Sequence, residues 1–112
     1  MSQHYKKIWQ TVALIPPGHV ATYGQVADLS GLPKRARLVS KALSAAPSDL
    51  ALPWFRVIAA GGRIAIPEST SGYRRQIELL AAEGVILNGS KINLRQYLWQ
   101  PSLAEILQGL EN

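Results

Sequence analysis

The stretch Thr22–Ala46, TYGQVADLSGLPKRARLVSKALSAA, decides how the rest of the chain is read. Thr22 stands three residues before Gln25, the spacing of a capping box, and Val26, Ala27 and Leu29 follow on one helical face. Gly31 supplies a helix end, and Leu32-Pro33 a tight turn. A second helix is then expected from about Lys34 to Ala46. At about 100° per residue from Lys34, Leu38, Ala42, Val39, Leu43 and Ala36 fall at about 40–200°, whereas Ser40, Ser44, Arg37 and Lys41 fall at about 240–340°. Arg35 interrupts the apolar side, but in the first turn its long side chain can swing outward. Helix, glycine-containing turn and basic amphipathic helix is the order of a helix-turn-helix; the alternative is an ordinary helical hairpin.

The charge gathers around the same stretch. The 112 residues carry 12 Lys+Arg against 7 Asp+Glu, a net +5. Between Asp28 and Glu68 lie Lys34, Arg35, Arg37, Lys41, Arg56 and Arg63 with a single acid, Asp49. Such a patch suits a polyanion, because each neutralised phosphate releases condensed counterions; the alternative is a solvated helix face.

Working outward, residues 3–14 read as a helix with Ile8, Trp9, Val12 and Ala13 inward, stopped by Pro16-Pro17-Gly18. Val20-Ala21 is extended. Beyond Pro47, the run Leu52–Ile58, Gly61-Gly62 and Arg63–Ile66 suggests a hairpin or extended loop. Ser71-Gly72 precedes a helix with Tyr73, Ile77, Leu80 and Ala81 inward and Gly84 at its C-terminal turn. Val85–Leu87, Asn88-Gly89 and Lys91–Leu94 read as a second hairpin, a candidate wing. Ser102-x-x-Glu105 opens a terminal helix over 101–112 carrying Leu103, Ile106, Leu107 and Leu110. The expected fold is α+β, mostly α: a single winged helix-turn-helix domain over residues 1–112, long enough to bury roughly two-thirds of its unfolded surface.

The inventory of reactive groups is thin. Zero Cys removes disulfides, thiolate zinc sites and a cysteine nucleophile. His4 and His19 are the only histidines, so no metal site is expected. Neither a Gly-rich phosphate loop nor a nucleophile elbow is present, so no catalytic residue and no cofactor are expected. No apolar run reaches the ~18 residues of a membrane span, and no secretory stretch follows the N-terminus, so a cytoplasmic monomer without a membrane partner is expected.

Leu52-Pro53-Trp54-Phe55-Arg56-Val57-Ile58 resembles the Pro-Cys-His-Arg-Val signature of the O6-alkylguanine-DNA alkyltransferases, with Trp54 at the acceptor cysteine. That replacement is the mark of the alkyltransferase-like proteins, similar to the C-terminal DNA-binding domain of the transferases. Gly18–Ala27, Pro33–Val39, Ala82–Val85 and Leu94–Trp99 resemble other segments of the same fold. The likeness covers about residues 5–99.

The resemblance implies a protein that binds duplex DNA in the minor groove and flips O6-alkylguanine into a pocket beside Trp54. It also implies that the lesion is then flagged for nucleotide excision repair proteins. Arg37 corresponds to the arginine that fills the vacated base stack, and Tyr23 to the tyrosine that rotates the 3′ phosphate. Lys34, Arg35, Ser40 and Lys41 join them as candidate DNA contacts. Tyr23, Trp54, Phe55, Arg56, Val57 and Arg63 are the candidate pocket residues, Arg63 as a stand-in for the family's lid arginine. Catalysis is not implied: Phe55 stands at the histidine position, Ala46 at an asparagine position, and Glu83 alone remains of the relay. The rival reading is a sequence-specific winged-helix transcription regulator, dimerised through Leu103, Ile106, Leu107 and Leu110.

Overall fold

Ile8, Trp9 and Val12 recur at helical spacing and are buried along one side of α1 (Gln3–Leu14). Thr11 shares that buried side, whereas Ala13, expected inward, is exposed. These assignments come from a computed structural model, which describes residues 3–111. Trp9 Nε1 donates to the Ala42 carbonyl at 2.7 Å, so burying the indole leaves no orphaned donor.

A two-residue strand β1 (Ala21–Thr22) leads into α2 (Tyr23–Leu29). Thr22 Oγ1 accepts the Gln25 N–H at 3.1 Å, the forward half of the expected capping box. The return half is not made. Gln25 Nε2 instead donates to the Trp99 carbonyl at 2.8 Å, tying α2 to the distant C-terminal segment. At the other end, Gly31 (φ +78°) donates to the Asp28 carbonyl at 3.0 Å and Leu32 to Ala27 at 2.8 Å, a Schellman closure.

The next helix, α3 (Ala36–Ala45), is shorter than the sequence suggested. Arg35 N–H donates to the Leu32 carbonyl at 3.2 Å, with Pro33 second in that turn and Lys34 third at φ +65°. Proline followed by positive φ is the pattern of a type II turn. It holds Lys34 out of the helix and leaves Arg35 at the N-cap position rather than in the first turn.

Of the hairpin or extended loop expected over Leu52–Ile66, the hairpin is not formed. Trp54–Arg56 forms a single 3-10 turn, and β2 (Val57–Ile58) pairs in parallel with β1, Ala21 opposite Val57 and Thr22 opposite Ile58. Because strand residues alternate in direction, Ala21 and Val57 enter the core shared by α1, α2 and α3. Val20 and Ile58 face a second cluster with Leu80, Val85 and Ile92. Two apolar layers therefore compete successfully with a local hairpin for the same segment.

The helix α4 (Ser71–Ala82) already includes Ser71 and Gly72, expected to precede it, and is capped by Thr70; Gln76 and Leu80 are buried, and Ala81, expected inward, is exposed. Gly84 (φ +85°) closes this helix as expected, with Val85 N–H donating to Leu80 at 2.9 Å. The wing is reduced to one turn: Asn88 and Lys91 exchange backbone hydrogen bonds, and Lys91 bridges Arg63. Instead of continuing as a strand, the chain enters α5 (Leu94–Tyr97), capped by Asn93. Ser102 accepts the Glu105 N–H at 3.1 Å at the start of α6 (Leu103–Glu111), which packs on α1. Ile106 is buried there, Leu103 and Leu107 are exposed, and the Leu110 side chain lies outside the described residues. The four-residue dimer seam thus loses Ile106 to the protein's own core.

Candidate nucleic-acid interface

The turn at Pro33-Lys34 and the start of α3 bring Lys34, Arg35, Arg37 and Lys41 around a shallow hollow of about 360 Å³. All four are exposed, and among the described residues none has an acidic partner within ion-pair distance. Four unneutralised cations within eight positions raise the local positive potential, which an incoming polyanion lowers.

One turn along α3, Arg37 and Ser40 face the N-terminus of α2 across a second hollow of about 470 Å³. Tyr23 and Gly24 line one side, and Ala59, Ala60 and Ala65 complete it. Apart from Tyr23 and Arg37 these side chains are small, which permits close approach of a bulky ligand. Tyr23 is half-buried against the core, and burial raises its phenol pKa.

Trp54 shares a cavity with Leu43 and Ala46 at the C-terminal end of α3. Its ring meets Phe55 edge-on, centroids 5.9 Å apart at 90°, an arrangement aromatic quadrupoles favour. It borders an open cavity of about 440 Å³ together with Leu43, Ala46, Ser48, Phe55, Arg75 and Leu79.

The Trp54–Arg56 turn is clamped from behind. Arg56 stacks on Phe55 at 5.2 Å, donates Nη1 to the Ile15 carbonyl at 2.8 Å, and pairs with the Glu83 carboxylate through Nε and Nη2. Glu83 also accepts the Gly18 N–H at 3.1 Å. The Arg56 hydrogen bond, aided by the Gly18 contact, holds the Glu83 carboxyl below the usual carboxylate range despite partial burial. Gln76 Nε2 donates to the carbonyls of Phe55 and Val57, at 2.9 and 3.2 Å.

The residues grouped as one pocket from the sequence therefore separate. Trp54 and Phe55 share a cavity, whereas Tyr23 faces the Arg37 hollow. Arg56 points back toward Glu83, Val57 is buried, and Arg63 lies at the wing turn beside Lys91. Conversely, Leu43, Ser48, Arg75 and Leu79 join Trp54 with no local signal announcing them. Leu43 was legible only as part of the apolar stripe of α3.

Residues 3–85 match the 6-O-methylguanine DNA methyltransferase, DNA binding domain family. A DNA base-flipping protein of Escherichia coli is 43% identical over 95 residues, covering 84% of this chain and 72% of that protein. Alkyltransferase-like protein 1 of Schizosaccharomyces pombe is 37% identical over 106 residues, covering 90% and 98%. The crystal structure of S. pombe Atl1 with damaged DNA containing O6-carboxymethylguanine superposes with TM-score 0.77 at 35% identity, covering 90% of this chain and 98% of that one. The chain belongs to the family of 6-O-methylguanine DNA methyltransferase DNA-binding domains, as a member of its alkyltransferase-like branch. Its fold is the small α+β winged helix-turn-helix of that domain.

Proposed function

We propose that this protein recognises damaged duplex DNA without reacting with it, docking α3 in the minor groove and flipping O6-alkylguanine toward Trp54. The observation that carries this reading is the open cavity beside a half-buried Trp54, one helix-end away from the unpaired cations of α3. Extruding a base costs a few kcal/mol, and stacking on an aromatic side chain returns about 1–3 kcal/mol. Alkylation at O6 removes part of the Watson–Crick pairing of guanine and lowers that cost, so selectivity for the lesion needs no reading of sequence. Arg37 carries a planar, permanently charged group suited to filling the vacated stack and bonding the orphaned base.

No thiol is available to accept an alkyl group, and Glu83 is already engaged by Arg56 and Gly18. The lesion therefore stays in the DNA, and its removal falls to other proteins. We assign that step to nucleotide excision repair and place the protein in the cytoplasm. The test is the affinity for matched duplexes carrying guanine or O6-methylguanine, at several salt concentrations and in unrelated sequence contexts. A preference for the modified duplex in every context is expected. Equal affinities within each context, varying between contexts, identify a transcription regulator instead. Competition by a minor-groove ligand checks the docking mode.

A further inference from the structure

Among the described residues, Arg75 is the one charged side chain on the cavity beside Trp54, with otherwise apolar neighbours and Ser48. It reaches there from the exposed side of α4 and also borders the adjoining hollow, where Glu68, Arg74 and Glu78 lie. None of these acids comes within ion-pair distance of Arg75 among the described residues. An unpaired guanidinium at the edge of an apolar cavity attracts a planar anion, which it can bond through two parallel N–H groups.

From this placement the geometry points to Arg75 as a specificity-determining residue that favours O6 substituents ending in a carboxylate over neutral alkyl groups. The inference rests on the flipped base entering the Trp54 cavity. Arg75 and Leu79 line the same cavity as Trp54 and Leu43, so the O6 substituent of a purine held there shares that space with them. A neutral substituent gains only apolar contact there, in proportion to its buried surface, whereas an anionic one also gains from Arg75. The neighbouring Arg74 borders the adjoining hollow and not this cavity, so it separates local recognition from general charge.

The experiment measures affinities of the full chain for three duplexes of one sequence, carrying guanine, O6-methylguanine or O6-carboxymethylguanine. The expected result is a preference for carboxymethyl over methyl of about five- to tenfold, the scale of a partly solvated charge-assisted bond. Arg75→Gln removes this ratio, Arg75→Lys keeps part of it, and Arg74→Gln leaves it as it was. A wild-type ratio of one or below, with both lesions still preferred over guanine, overturns the role of Arg75 while leaving lesion recognition standing. So does an equal loss for all three duplexes in Arg75→Gln, which marks a plain phosphate contact. If wild type binds the three duplexes alike, the base-flipping reading itself fails.

Discussion

Arg56 and Glu83, twenty-seven residues apart, meet through a two-pronged pair that fastens the Trp54 turn to the C-terminus of α4. Both side chains are largely shielded from water, at 13% and 15% exposure. The same carboxylate holds the Gly18 backbone, so one acid joins three segments. Removing Arg56 strands that carboxylate. Arg56→Ala is expected to lower stability by about 2–3 kcal/mol in denaturant titration, and Arg56→Lys to recover only part, lacking the fork.

The depressed Glu83 pKa sets a pH dependence with a definite sign. Its contribution is complete above the ordinary carboxylate value of about 4.3 and is lost as pH falls through the lower folded value. Urea midpoints of wild type and Glu83→Gln, compared from pH 7 downward, are expected to stay separated at neutral pH. They converge only below the ordinary carboxylate range; a gap that closes at higher pH contradicts the assignment.

Lys34 occupies a backbone conformation that costs a side-chain-bearing residue roughly 1 kcal/mol. Lys34→Gly is therefore expected to raise stability by about 0.5–1 kcal/mol in thermal or denaturant unfolding. The same substitution is expected to weaken binding to any duplex and to reduce the salt slope by roughly one unit. Opposite changes in stability and affinity identify strain retained for binding.

Gly62 has φ +87° and lies against the Ile92 carbonyl, where a Cβ would collide with backbone. Its own carbonyl accepts the Ile92 N–H at 2.8 Å. Gly62→Ala is expected to cost more than the ~1 kcal/mol of left-handed strain alone, because backbone has to move. Gly61→Ala, with open space around its Cβ, is expected to cost about the strain alone. Paired unfolding curves check the difference.

Restoring a sulfur should not restore chemistry. In Trp54→Cys the neighbouring Phe55 offers no base, and Glu83 remains held by Arg56, so no alkyl transfer from O6-methylguanine DNA is expected. Label retained on the variant protein after incubation with methyl-labelled duplex would refute this. Arg37→Ala is expected to erode the preference for modified DNA, whereas Lys41→Ala weakens modified and unmodified duplexes alike.

Several features were legible along the chain because they close within a few residues. The Thr22 cap, the Gly31 and Gly84 helix ends and the Ser102 cap are each satisfied by hydrogen bonds spanning three to five positions. Their chemistry depends on backbone geometry that a short stretch controls. The basic face of α3 belongs to the same class, since its period is a property of the helix. Even here Pro33 displaced the start of α3 by two residues, because a turn with positive φ at Lys34 outcompeted another helical turn.

What lay beyond local reading concerns segments that meet only after packing. Val57-Ile58 belongs to a run expected as a hairpin or extended loop, yet it pairs with Ala21-Thr22 because two apolar layers bury both strands from opposite sides. The resemblance put Arg56 among the pocket residues, but its side chain turns back from the 3-10 turn to Glu83. Arg75 carries no signal in its own helix and acquires its place only where α4 passes the Trp54 turn. Hydrogen bonds near in sequence form wherever the chain goes, whereas these juxtapositions exist because buried surface elsewhere holds the elements in place.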